Sequence, residues 1–308
     1  MIRTVVSLVL VVVLFVVFAA SANSSTNCGD KGIVVQILGS GGPEINDQRA
    51  STGYLIWRDA HARILIDLGP GSLQEYEKSG AKLEDLDVIL ISHLHVDHVA
   101  DLPALIKGSF FIGRDRDLPL YGPTGNKLFP STNAFVNTLF ASPDGAFHYL
   151  AGFLSGYAGY KLVPHEVSAD GTKPTTVIVN DDYRITAIPA HHGPIPALAW
   201  RVDIGDKSIV FSGDMNGDNH TLEQLAKDAD LLVAHHAIPE GLEGVARNLH
   251  MPPSVIGEIA AAAQVKQLVL SHRMLRTIGR EKESSQLIRK DYKGPLDYTD
   301  DGQCFVVR

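Results

Sequence analysis

Residues 92–103 read SHLHVDHVADLP, directly after the apolar run LDVILI at 86–91. Three histidines and an aspartate, His93, His95, Asp97 and His98, fall within six positions. A surface loop has no packing reason to collect imidazoles. A buried strand that ends in them, by contrast, holds metal donors on a rigid support. The apolar run is continuous, as expected for a strand covered on both faces.

Working outward, the same arrangement recurs three times. ITAIPAHHG (185–193), SIVFSGD (208–214) and QLVLSHR (267–273) each join a strand-like run to histidine or aspartate. Strand ends that face one edge can bring distant side chains to a single locus. Seven donors converging in this way exceed the four of a closed structural zinc site. Before them, GIVVQILG leads into a glycine turn, and YLIW and RILID flank a polar turn at 58–62, a hairpin pattern. Helical character spans 72–82 and follows Asp101, and TLEQLAKDADLLVAHH and PPSVIGEIAAAAQVKQLVLSHR each give a helix and then a strand. The mixture indicates one α/β domain with helices covering the sheets.

The six-residue signature H-x-H-x-D-H matches His93 to His98 without a gap, and the later strand ends supply its partners. The sequence thereby resembles the metallo-β-lactamase superfamily over about residues 32–308. The resemblance implies an αβ/βα four-layer sandwich, in which two mixed β-sheets pack face to face with helices outside. It assigns one metal to His93, His95 and a histidine of the third segment. A second metal falls to Asp97, His98 and His272, and Asp214 bridges the pair. Of the two histidines in the third segment, the one next to the Pro-Ala-Leu stretch is favoured. That is His192, which leaves His191 on the opposite side of its strand.

The implied protein is a binuclear metal-dependent hydrolase whose nucleophile is a metal-bridging hydroxide, with Asp97 as proton acceptor. Zinc is the expected ion, with manganese and iron as alternatives. Asp214 speaks against β-lactam hydrolysis, because true β-lactamases of the superfamily usually lack that aspartate. The stretches LGSGGPEINDQRAST (38–52) and LPLYGPTG (118–125) resemble the ribonuclease Z and arylsulfatase-like branch. Phosphodiesters are the expected substrates; sulfates, lactones and β-lactams are the alternatives. The branch also suggests His250, before the helix of PPSVIGEIAAAA, as a general acid touching substrate. A locally bonded helix-entry histidine is the other reading. His235 and His236 stand where relatives often carry a histidine followed by glutamate, and either orientation of a ligand or simple packing would explain them.

His192 and Asp214 are 22 positions apart, which leaves no room for the extended arm of transfer RNA enzymes in this branch. The net charge of −8 argues the same way, since non-specific nucleic-acid binding needs lysine and arginine. A small-molecule ester is therefore the expected partner, and a homodimer is compatible with the sequence. Residues 109–165, rich in glycine, proline and aromatics, form an insertion expected to shape the pocket. Phe147, Tyr149, Phe153, Tyr157 and Tyr160 either line it or pack it onto the core. Residues 1–22 combine Arg3, an apolar run from Val5 to Ala20 and Ala20-Ser21-Ala22, the features of a cleaved signal peptide. The hydrolase domain is then 23–308, exported to a periplasm or secreted, with an uncleaved anchor as the alternative. No second apolar run reaches membrane length. Cys28 and Cys304 form either a disulfide or two free thiols.

Overall fold

Along the first strand, β1 (Ile33–Gly39), Val34 and Leu38 point to one face and Val35 and Ile37 to the other, and both faces are buried. That two-sided burial sets the architecture. The computed structural model describes Cys28 and residues 32–308. In it, β2 (Gly53–Arg58), β3 (His61–Leu68), β4 (Val88–Leu90), β5 (Leu118–Pro123) and β6 (Leu162–Val167) extend β1 in chain order into one sheet. β7 (Thr175–Val179), β8 (Tyr183–His192), β9 (Ile195–Ile204), β10 (Lys207–Phe211), β11 (Leu231–His235), β12 (Gln267–Ser271) and β13 (Leu296–Tyr298) form the second. The last strand, β14 (Cys304–Val306), returns to the first sheet beside β1, so each sheet has seven strands.

Each sheet begins as an antiparallel meander and ends in parallel strands. Between the sheets lies one apolar layer, where Ile56, Ile66 and Leu90 meet Trp200, Phe211 and Val233. The outward faces carry two further layers, one holding Leu55, Leu65 and Ile89, the other Val210, Leu232 and Leu268. Helices cover these, including Leu102–Ser109 and Thr132–Phe140 on the first sheet and Pro253–Ala262 on the second. This is the expected four-layer sandwich. Each fully buried aliphatic side chain contributes roughly 1.5–3 kcal/mol.

Several details depart from the sequence reading. The run LDVILI forms strand only over Val88–Leu90, although Ile91 still donates its N–H to the Tyr121 carbonyl of β5 at 2.7 Å. The helix expected over 72–82 ends at Lys78, just before Gly80 takes a φ of 74°. The 109–165 stretch is more regular than its composition suggests. It holds the Thr132–Phe140 helix, capped by the Ser131 hydroxyl, and β6 begins near its end. Residues 1–22, expected to be a signal peptide, lie outside the described residues. Among the described residues, no helix is long and apolar enough to cross a membrane.

Cys28 and Cys304 are joined by a disulfide, with Cα atoms 5.7 Å apart and 276 positions between them in sequence. It ties a residue preceding β1 to the strand that pairs with β1. Closing so long a loop restricts the unfolded chain, an effect typically of about 2–4 kcal/mol. The C28S/C304S variant is therefore expected to unfold at lower urea than the oxidised protein, with a loss of that size. Coincident unfolding curves for the two proteins would show that the bond does not stabilise the fold.

Candidate metal centre

Four strand ends from the two sheets meet at one edge of the sandwich. The loop after β4 carries His93, His95, Asp97 and His98. From the second sheet, β8 ends on His192, the turn after β10 carries Asp214, and His272 follows β12. Tight backbone geometry delivers them. Gly213, with a φ of 59°, makes the turn into Asp214, and a Cβ there would lie 2.9 Å from the Leu198 carbonyl. At Gly69 a Cβ would come within 2.0 Å of the Asp97 carbonyl oxygen, so only glycine lets the loop lie against the end of β3. His272 itself is in the left-handed region at φ 52°, a strained placement of the kind found at functional sites.

Asp214 sits in the middle. Its Oδ2 is 3.8 Å from His93 Nε2 and 3.7 Å from both His98 Nε2 and His192 Nε2. Its Oδ1 is 3.4 Å from His272 Nε2. Asp97 Oδ2 lies 3.2 Å from His272 Nε2 and 3.6 Å from His98 Nε2. Most of these spacings exceed a hydrogen bond. They match the edge of a tetrahedron of ligands around a small divalent ion, about 3.4 Å when each donor is ~2.0–2.1 Å from the metal. Two donor groups emerge, His93, His95, His192 and Asp214 in one, His98, His235, His272 and Asp214 in the other. Asp214 belongs to both, and Asp97 borders the second.

The residues fit divalent cations on a further ground. The Nε2 atoms of His93, His98 and His192 are buried and have no hydrogen-bond partner. A buried ring nitrogen without a partner is costly, and a cation would satisfy all three. Their Nδ1 atoms, meanwhile, are held from behind. His192 Nδ1 donates to the Leu249 carbonyl at 2.9 Å, which leaves its Nε2 lone pair facing inward. His98 Nδ1 donates to Asp67 Oδ2 at 2.8 Å, and the Ser92 hydroxyl bridges to the same carboxylate. Such outer contacts fix the tautomer of a ligand and aim it.

Electrostatics follow from the crowding. Burial and the neighbouring imidazoles push His93 well below its ordinary pKa. At His98 burial also opposes charge, but the carboxylates of Asp67 and Asp97 outweigh it and hold the pKa well up. Burial works against ionisation of Asp97 as well, yet His98 and His272 prevail and bring its carboxyl down to about 2. Asp214, fully enclosed, is likewise held well below the usual carboxylate range by His272, His250, His235 and His98. Both acids are ionised at neutral pH, the form that binds cations.

The histidine doublets separate by strand alternation. His192 is buried toward Asp214, whereas His191 is half-exposed and contacts Asn216, whose side-chain amide lies 2.9 Å from its Nδ1. Asn216 also donates to the Asn248 carbonyl and so ties this strand end to the segment bearing His250. His235 donates Nδ1–H to Asp214 Oδ1 at 2.8 Å and accepts from the Tyr54 hydroxyl at 2.9 Å. It orients the shared carboxylate. His236 faces the other way and meets Ser284. His250 is buried beside the cluster, with Nδ1 3.8 Å from Asp214 Oδ1 and its ring 5.4 Å from that of His192.

Asp67 escaped the sequence reading. It ends the buried strand RILID just as Asp214 follows SIVF, so the shared pattern of strand and terminal acid could have marked it.

The family model described as "Beta-lactamase superfamily domain" matches residues 62–273, which span every strand end just described. The chain belongs to the beta-lactamase superfamily. It has the metallo-β-lactamase fold, is a metal-dependent hydrolase, and is similar in sequence to ribonuclease Z. Ribonuclease Z of Mycobacterium bovis (strain BCG / Pasteur 1173P2) is 27% identical over 292 residues, covering 87% of this chain and 95% of that protein. Ribonuclease Z of Haloferax volcanii is 27% identical over 304 residues, covering 88% and 93%. Among solved structures, the short form of human tRNase Z superposes with a TM-score of 0.70 at 20% identity, covering 89% of this chain and 99% of that one. The metallo-β-lactamase fold protein YhfI from Bacillus subtilis gives 0.66 at 21%, covering 89% and 98%. These two likenesses establish the fold.

Proposed function

We propose that this protein is an exported binuclear phosphodiesterase acting on small ester substrates. The observation that carries the reading is the carboxylate of Asp214, shared between two histidine groups with 3.4–3.8 Å to the Nε2 atoms of His93, His98, His192 and His272. His93, His95 and His192 would hold one ion, Asp97, His98 and His272 the other, and Asp214 both. Two divalent ions, zinc in the first place and manganese or iron otherwise, supply an activated water as nucleophile and neutralise charge on the substrate oxygens.

The remaining work belongs to side chains. Asp97 stays ionised and lies among the second group, so it can take the proton of the attacking water. Burial brings His250 down to about 3, which makes it neutral in the protein alone. Beside Asp214 at the rim of the cluster, it stands where it would pass a proton to the leaving oxygen as general acid. Asp67, Tyr54 and His235 hold the ligands in place.

A small substrate is favoured because β9 and β10, with their short turns, take up the chain between His192 and Asp214. The net charge of −8 also disfavours a polyanion. The Cys28–Cys304 bond, which suits an oxidising compartment, and the signal-like residues 1–22 support export.

The test is a panel of bis-p-nitrophenyl phosphate, p-nitrophenyl sulfate, a chromogenic lactone and a chromogenic β-lactam, given to zinc-loaded and manganese-loaded protein. The phosphodiester is expected to be cleaved at least tenfold faster than the others. An intact phosphodiester alongside an opened lactone or a cleaved sulfate would overturn the assignment.

A further inference from the structure

The aromatic residues of the 109–165 stretch divide in the fold. Phe153 and Tyr160 are buried against the first sheet, with ring centroids 5.0 Å apart. Phe147 and Tyr149 instead line a cavity of about 630 Å³ with Leu94, Val96, Lys107 and Phe135. Leu94 and Val96 alternate with His93, His95 and Asp97, so one wall of this groove is the metal-binding loop itself. Nothing among the described residues covers it. Val96 is 65% exposed and Tyr149 64%, an unusual cost for apolar surface beside a buried polar centre.

We propose that this groove binds an apolar arm of the substrate, so that the ester hydrolysed carries an alkyl, acyl or aryl chain. The assignment of the ester as a phosphodiester rests on the function proposed above; the groove's preference for an apolar chain does not. Two observations select this occupant. Leu94 and Val96, each next in sequence to metal-donor residues, belong to its wall, so the groove adjoins the donor loop. Lys107 is the one charged residue in the lining, and its ammonium lies 4.6 Å from the Phe110 ring centroid, 5.0 Å from Phe111 and 5.8 Å from Tyr149. Turned onto these aromatic faces, it leaves the rest of the lining apolar, which suits a hydrocarbon chain rather than a second charged group. The volume lies within the range of small-molecule pockets, about 300–1,000 Å³. A nucleotide would find few polar partners along these walls.

The experiment is calorimetric titration of the zinc-loaded, full-length protein with methyl phosphate and octyl phosphate. Each methylene that enters the groove tightens binding by roughly fourfold, so octyl phosphate is expected to bind at least 100-fold more tightly than methyl phosphate. In the F147S/Y149S variant, altered only at exposed lining positions, the preference is expected to fall below about tenfold while the affinity for methyl phosphate stays unchanged. Equal binding of the two ligands by the wild type, or an octyl preference that survives in the variant, would overturn the proposal. So would a dimer in sedimentation that the variant breaks without any chain-length preference, since a second copy would then cover the groove. If octyl phosphate binds through Phe147 and Tyr149 but p-nitrophenyl octyl phosphate is not hydrolysed, the groove assignment stands and the phosphodiesterase reading falls.

Discussion

Replacing Asp214 with alanine is expected to reduce bound metal from two ions to at most one, and to slow cleavage of bis-p-nitrophenyl phosphate by about 10⁴-fold or more. That factor corresponds to about 5.4 kcal/mol of transition-state stabilisation. The size follows from position. One oxygen of Asp214 faces His93, His98 and His192 and the other faces His272, so a single truncation removes a donor from both groups. It also leaves His235 without the acceptor of its Nδ1–H. Elemental analysis of the purified variant, with a circular dichroism spectrum to confirm folding, checks the result. Retention of two tightly held ions by a folded D214A protein would exclude the shared-carboxylate geometry.

Truncation of His250 should divide substrates by their leaving groups. The H250A variant is expected to lose about 10²–10⁴-fold on a phosphodiester with a poor alkoxide leaving group, the range typical of a general acid. On a p-nitrophenyl ester, whose leaving oxygen needs no proton, the loss should be within about tenfold. Metal content should be unchanged, because His250 belongs to neither of the two donor groups. An equal loss on both substrates would instead assign His250 to positioning or packing.

The core of the site was legible because donors at strand ends need no tertiary knowledge to be noticed. His93, His95, Asp97 and His98 announce themselves in six residues, and His192, Asp214 and His272 repeat one pattern of apolar run and terminal donor. The doublet His191-His192 resolves through strand periodicity, since neighbouring side chains point to opposite faces. What remained hidden depends on pairings between distant segments. The contact of Asp67 with His98 spans 31 positions, and that of Tyr54 with His235 spans 181. Neither partner of such a bond carries a local sign of the other. β6 and β14 were missed for a related reason. β6 holds Pro164 and the polar pair His165-Glu166, and becomes a strand only because β5 lies beside it. β14 is three residues long and is stabilised by β1, almost the whole chain away.

One feature of the architecture bears on how the protein assembles. His93, His95, Asp97 and His98 come from one sheet, while His192, Asp214 and His272 come from the other, so the cation-holding locus straddles the seam between them. Neither half possesses a complete coordination sphere before the two have docked. Ions captured there would act as rivets whose affinity is added only to the mated state, and chelation would weaken the joint between the layers.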